Sequence, residues 1–356
     1  MRRILILAFC LFTIPSFAQK NKTQNVILVT LDGMRWQEVF GGADSAYMKQ
    51  QQHLKDGALK EKYWRNDAQA RREALFPFLW TTVVKQGQLY GNRQLGSLVN
   101  VTNNQWFSYP GYNEILTGRA DDARINSNDK FYNPNQNVLE FIQSKPGFSG
   151  KVAAFTSWDV FPYIINDKRN NIMVSAGQQA ATRSPNDTEK VLNKLMSSVP
   201  NPLGEVRLDA FTFYYGLEYM KKNKPRVMYF AFDETDDFAH GGEYGAYLNS
   251  AHATDGYLSE LWNFVQSDPA YKGTTTLIVT VDHGRGATTE DWKHHGIKVP
   301  GADQIWLAMI GPDSQAVGEV KSGQIYQKQV AQTIASLLGF NFKSEPGQGD
   351  EIAIKN

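Results

Sequence analysis

The sequence predicts an α/β protein: a doubly wound, mostly parallel central sheet flanked by helices, with a small helical insertion. Three observations predict it. Apolar, β-branched runs recur along the chain, each bounded by turn residues. Helical patterns lie between them, the alternation that builds parallel sheets. Acids and histidines follow several of the runs at their carboxyl ends, where ligands of open parallel sheets bind.

The runs are NVILVTLDG (25–33), KVAAFTS (151–157), RVMYFAFDE (226–234), TTLIVTVDHG (275–284) and QIWLAMIGP (304–312). None shows the in–out alternation of a half-exposed strand, so all five read as buried parallel strands. Helical patterns cover roughly 110–117, 136–143, 186–197, 206–223, 244–267 and 325–338. The stretch 41–86 differs: rich in Lys, Gln, Arg and Glu, it reads as a helical insertion after the first strand. No internal repeat appears, and residues 19–356 are expected to form one domain.

The first residues, MRRILILAFCLFTIPSFAQK, give an address. Arg2 and Arg3 form a basic start, Ile4 to Phe12 an apolar run, and Ser16-Phe17-Ala18 a small-x-small cleavage site. A first strand or a membrane anchor is the competing reading, but a bilayer span needs about 20 apolar residues. Cleavage after Ala18 is expected, giving a periplasmic or secreted protein without a membrane anchor. Residues 1–18 contain two arginines and no acid, so the formal net charge falls from +1 to −1 on cleavage. Neither value supports binding of a nucleic-acid polymer through bulk electrostatics. The leader also carries Cys10, the only cysteine, and Phe9 before it is too bulky for a lipoprotein signal. The mature chain therefore has neither thiol chemistry nor disulfides, and its core must hold without staples.

The stretch SYPGYNEILTG (108–118) starts a helix. Ser108 reads as its N-cap, Pro110 suits the first turn, and Gly118 supplies a left-handed C-cap. The alternative role for Ser108 is a nucleophile at the positive end of that helix, whose backbone N–H groups and dipole favour a phosphate.

The rest of the chain weighs on that choice. It has six histidines, and four fall in three clusters, DDFAH, VDHGRG and KHHG. Divalent metals such as zinc take His nitrogen and carboxylate oxygen, and two metals can clamp an in-line displacement. Asp236, His240 and one of His294 and His295 would hold one ion. Asp32, Asp282 and His283 would hold the second, with Ser108 as a further ligand whose hydroxyl is thereby acidified. Each member also has a structural reading: Asp32-Gly33 as a turn, Asp236 and His240 as a helical ion pair. His252, within the 244–267 helix, reads as structural, and His53, in the charged insertion, as solvated.

The ordered motifs LVTLDGMR, SYPGYNEILTG, TDDFAH, VDHG and HHG, spread over residues 26–296, resemble the alkaline phosphatase superfamily. Its type I phosphodiesterase/nucleotide pyrophosphatase branch is the most similar. The resemblance implies that Asp236, His240 and His295 bind one metal, and that Asp32, Ser108, Asp282 and His283 bind the other. His295 is preferred because it directly precedes Gly296, and Asp236 because it stands four residues before His240. The resemblance also implies an asparagine that holds a phosphoryl oxygen; Asn128 fits best, with Asn126 as the alternative. Two departures matter. The branch usually has a threonine nucleophile, and the formylglycine motif of the sulfatases requires arginine where Tyr112 stands.

The expected function is that of an exported two-metal phosphoric ester hydrolase acting on a small-molecule substrate through a phosphoseryl intermediate on Ser108. Zinc is the favoured ion, with manganese or iron as alternatives. A sulfuric ester or phosphonate hydrolase on the same site is one rival; a non-catalytic, metal-dependent binding protein is another. Tyr112, Trp106, Phe107 and Trp158 read either as packing residues or as a stacking surface for an aryl group or nucleobase. The 41–86 and 158–185 regions are expected to shape the leaving-group side.

Overall fold

The first strand, β1 (Asn25–Leu31), is buried along its whole length, as the unbroken apolar run requires of a strand covered on both faces. The computed structural model describes residues 21–50, 57–343 and 346–353; the expected leader 1–18 with Cys10, and His53, lie outside the described residues. The remaining strands in chain order are β2 (Gln88–Tyr90), β3 (Ser97–Asn100), β4 (Val152–Thr156), β5 (Met173–Ala176), β6 (Val227–Phe232) and β7 (Thr275–Thr280). They are followed by β8 (Leu307–Ile310), β9 (Gly318–Glu319) and β10 (Gly323–Tyr326). Eight of these form one sheet in the order β5-β4-β6-β1-β7-β8-β2-β9, while β3 and β10 pair separately.

From β5 to β7 every neighbour is parallel. Helices flank this mostly parallel sheet, as the alternation predicts. The run 304–312 corrects the expectation of five parallel strands: β8 is antiparallel to both β7 and β2. The reason lies in the connection. Between β7 and β8 the chain contains only a short turn of helix, Asp291–Lys293, instead of a crossover helix. It therefore re-enters the sheet from the edge it left, which forces the opposite direction. The short strands β2, β3, β5, β9 and β10 hold two to four residues each, too few for a periodic signal.

The helical patterns lie close to where they were expected, at Ser108–Thr117, Val138–Gln143, Asp187–Ser198, Asp209–Asn223, Tyr244–Ser267 and Gln329–Leu337. Local chemistry sets several ends. Asn186 and Glu189 form a capping box at the start of Asp187–Ser198. Gly118, at φ 75°, closes Ser108–Thr117 with its N–H on the Glu114 carbonyl. The 41–86 stretch contains the helices Ser45–Gln50, Gly57–Tyr63 and Ala68–Leu75, then a π-helical turn Leu79–Val83 that continues into Val84–Gln86. Among the described residues no helix is long and apolar enough to cross a membrane.

One buried carboxyl in this region predicts a pH response. Asp255, on the Tyr244–Ser267 helix, accepts from the Phe78 and Leu79 N–H groups at 2.7 and 2.9 Å. Burial outweighs these two donors and pushes its carboxyl up to about 7. A raised acid binds its proton more tightly when folded, so its stabilising contribution is full below about pH 4 and is lost as pH rises through about 7. Thermal melts of the wild type and Asp255→Asn between pH 5 and 8 check this. The wild type is expected to lose more stability with rising pH than the variant, whereas parallel curves would remove Asp255 as the source.

Candidate metal centre

Strand register brings the acidic loops together. Leu31 pairs with Phe232 and Thr30 with Thr280, so Asp32, the 233–240 segment and Asp282-His283 leave the sheet on one edge. The 234–240 helix is fixed by an exchange of caps. Asp209 accepts from the Asp233 and Glu234 N–H groups at 2.9 and 3.2 Å, and Glu234 accepts from the Asp209 N–H at 2.9 Å. Two helix starts thus satisfy each other's orphan donors.

Ser108 reaches the same edge through a loop held from inside. The buried Glu114 carboxylate accepts from the N–H groups of Thr102 and Asn103 and from both their side chains, at 2.8–2.9 Å. Asn103 in turn accepts from the Gln105 and Trp106 N–H groups at 3.1 and 2.9 Å. Trp106 takes a left-handed backbone, φ 55°, a conformation that costs a bulky residue energy and persists only where neighbours enforce it.

The expected N-cap role of Ser108 needs correcting. Phe107 is the N-cap and Ser108 the first helical residue. The side-chain cap comes from elsewhere: Asn128 Oδ1 accepts from the Tyr109 N–H at 2.9 Å. Pro110 has no N–H, and the Gly111 N–H donates to the Phe107 carbonyl at 3.0 Å. Of the first-turn N–H groups expected to face a phosphate, Ser108's own is the one left. The hydroxyl, released from capping, lies 3.4 Å from His283 Nε2.

Around that nitrogen, two carboxylate oxygens gather beside the Ser108 hydroxyl. His283 Nδ1 donates to the Gly284 carbonyl at 2.9 Å, which turns Nε2 towards the cluster. Asp32 Oδ1 and Asp282 Oδ2 each lie 3.3 Å from it. Both oxygens are buried without a hydrogen-bond partner. Their sister oxygens are occupied: the Tyr112 hydroxyl donates to Asp32 Oδ2 at 2.8 Å, and the Gly33 N–H to Asp282 Oδ1 at 3.1 Å. Burial, reinforced by Asp236, drives the Asp32 carboxyl well above its usual range, and burial with Asp32 does the same to Asp282. A set of buried lone pairs without a donor is the arrangement a cation resolves.

The second group shares this edge. His240 Nε2 lies 3.1 Å from Asp236 Oδ2 and 3.0 Å from His295 Nε2. His295 Nδ1 donates to the Trp106 carbonyl at 3.2 Å, so Nε2 is the nitrogen turned towards His240. Burial and the electrostatic effect of the adjacent His283 push His295 down to about 2. Its neighbour His294 is exposed. Two groups, Asp236–His240–His295 and Asp32–Asp236–His283, each bring ligand-type atoms within 4.8 Å of one another and could hold a metal. The residues fit divalent ions by donor type, and Asp32 and Asp282 also by their unpaired oxygens. Asp236 is more central than its expected place in one group: its Oδ1 lies 3.8 Å from His283 Nε2 and 3.9 Å from His295 Nε2.

Two neighbours were missed in the sequence. Arg285, fully buried, forms an ion pair with Asp236 and donates to the Asp236 carbonyl at 3.1 Å. Burial alone would raise the Asp236 carboxyl; Arg285, with His240 and His295, holds it well below its usual range. Arg285 stands in VDHGRG, two residues after His283, but spacing gave no sign of where its side chain turns. Tyr112 was read as a stacking surface or packing residue. It is fully buried and serves Asp32, so stacking on a substrate is ruled out for it, while Trp106, Phe107 and Trp158 remain partly exposed.

By sequence the chain matches no known protein family and no curated protein. Solved structures do match in fold. The alkaline phosphatase PafA superposes with a TM-score of 0.58 at 11% identity, over 94% of this chain and 98% of that one. Murine ectonucleotide pyrophosphatase/phosphodiesterase 5, an inactive variant in complex with AMP, superposes with a TM-score of 0.56 at 12% identity, over 91% and 97%. A protein in the alkaline phosphatase superfamily from Vibrio parahaemolyticus gives 0.55 at 12%, over 93% and 70%. This chain has the fold of the alkaline phosphatase superfamily.

Proposed function

We propose that this chain is an exported two-metal phosphoric ester hydrolase that acts on small-molecule esters through a phosphoseryl intermediate on Ser108. One observation carries the reading: a serine hydroxyl, released from capping its own helix, lies buried against His283 Nε2 beside two unpaired carboxylate oxygens. The fold shared with PafA and with the murine phosphodiesterase supports the same class of chemistry.

Asp32, Asp282, His283 and Ser108 would hold one divalent ion, and Asp236, His240 and His295 the other. The three histidine nitrogens favour zinc, with manganese or iron as alternatives. Bound there, divalent ions supply charge that lowers the pKa of a hydroxyl and stabilises oxyanions. Ser108 Oγ attacks phosphorus in line, the ester oxygen departs on the opposite side, and water then hydrolyses the phosphoserine. Asn128 has its Oδ1 on the Tyr109 N–H at the start of the Ser108 helix, and its amide nitrogen would donate to a phosphoryl oxygen. Trp106 and Phe107, directly before the nucleophile, would flank the leaving group. No nucleic-acid polymer and no membrane anchor enter this reading.

Parallel assays with p-nitrophenyl phosphate, bis-p-nitrophenyl phosphate and p-nitrophenyl sulfate test it. Turnover of at least one phosphate ester is expected, lost on treatment with a chelator and regained with zinc or manganese. Turnover of the sulfate alone would point to a sulfuric ester hydrolase. No turnover with any of the three, by metal-loaded protein, would point to a binding protein.

A further inference from the structure

The loop before Ser108 and the loop carrying His295 meet at the Trp106 carbonyl oxygen, which accepts from His295 Nδ1 at 3.2 Å. A carbonyl can only accept, so this contact sets the ring: hydrogen on Nδ1, and Nε2 towards His240. Trp106 offers that carbonyl from a left-handed backbone, φ 55°. Of the five non-glycine residues with positive φ among the described residues, it alone is aromatic, and nothing in an indole favours this region. The conformation is imposed by a clamp. Asn103 Oδ1 accepts from the Gln105 and Trp106 N–H groups, and Asn103 is gripped by Glu114, which lies on the same helix as Ser108. Asn104, next in the loop, donates from its N–H and its amide to Asp122 at 3.0–3.1 Å. The clamp that fixes the approach to Ser108 therefore also sets the carbonyl that holds His295.

Resting on the two-metal reading above, we propose that Trp106 is a positioning residue whose left-handed backbone couples metal uptake at His295 to the placement of Ser108. The link runs through its carbonyl, not its ring. A histidine that ligates through one nitrogen is oriented by what the other nitrogen donates to, and loss of that partner typically costs about tenfold to a hundredfold in metal affinity. Ligation also makes the imidazole a stronger donor, which tightens the bond from Nδ1 to the Trp106 carbonyl. Coupling of this kind is reciprocal: the affinity that left-handed Trp106 adds for an ion returns, by the same factor, as stability of left-handed Trp106. The metal-free chain should therefore hold the 103–107 loop more loosely than the loaded chain, and with it the residue that delivers the nucleophile.

A series at position 106 separates backbone from ring, because every member removes the indole. Glycine takes positive φ freely, asparagine visits it readily, and β-branched valine resists it. Zinc affinity of the metal-stripped full chain is read by competition with a chromogenic chelator, and the zinc lost in His295→Ala marks the position concerned. Trp106→Gly and Trp106→Asn are expected to bind zinc there within about threefold of the wild type, and Trp106→Val about tenfold or more weaker. Hydrogen exchange gives the second readout. Zinc should slow exchange at the Gln105 and Trp106 amides of the wild type, and the position 105 and 106 amides of Trp106→Val should lose most of that response. Circular dichroism reports whether each variant is folded; if Trp106→Val is not, Trp106→Ala replaces it, expected about threefold or more weaker than Trp106→Gly. Equal losses across the series would assign the effect to the ring and overturn the proposal, as would wild-type affinity in Trp106→Val. Exchange in the wild type that ignores zinc would overturn the coupling. A wild-type chain that takes up no zinc would overturn the two-metal reading itself, and this inference with it.

Discussion

Replacing Ser108 with alanine is expected to lower phosphate-ester turnover by roughly a thousandfold or more, with metal uptake largely spared. The rate loss follows from the role: without the hydroxyl no covalent intermediate forms, and direct attack by water has to substitute. Metal uptake survives because Asp32 and Asp282 keep their unpaired oxygens and His283 keeps its Nε2 beside them. Substrate turnover and metal content, measured on the same preparation, check both halves. Substantial residual turnover would remove Ser108 as nucleophile. A parallel loss of metal would show instead that the hydroxyl chiefly holds an ion.

Gly111→Ala is expected to damage both stability and activity, although Gly111 touches no substrate in this account. A Cβ at Gly111 would stand 2.3 Å from the Asp282 carbonyl oxygen and 2.8 Å from its carbon. Both are backbone atoms, and the same oxygen accepts from Gln327 Nε2 at 2.6 Å, so the strand end has no easy way to yield. The helix carrying Ser108 would have to move away from Asp282 and His283. Overpacking of this kind costs about 1–3 kcal/mol, and the displaced nucleophile should lower turnover by about tenfold or more. A lower melting temperature together with the loss of rate is the expected pair. A variant matching the wild type in both would mean that helix and strand end do not depend on this close approach.

Much of this arrangement was legible in the sequence because it rests on local patterns. The buried strands announce themselves as unbroken apolar runs, and Asp32, Asp236 and Asp282 follow the runs that become β1, β6 and β7. Their convergence then follows from parallel register alone. The direction of β8 was hidden because it depends on the absence of a crossover helix before it, which no pattern within 304–312 reveals. The cap of the 108–117 helix was misread for a related reason. The preference of serine for N-caps is a local rule, whereas the cap itself arrives from Asn128, twenty residues along. Arg285 and Tyr112 escaped notice because a side chain's partner is decided by tertiary packing. A buried tyrosine aimed at a carboxylate and one stacked on a substrate look alike in a string of letters.

The central claim is a phosphoseryl intermediate on Ser108, formed at a site that holds divalent metal. The most direct measurement is acid quenching of the zinc-loaded enzyme during turnover of p-nitrophenyl phosphate, followed by proteolysis and peptide mass spectrometry. The account predicts one phosphoryl group on Ser108 in the peptide that contains SYPGYNEILTG, absent when the ester is omitted. Rapid turnover with that peptide unmodified at every quench time, or with the phosphoryl group on another residue, would contradict it.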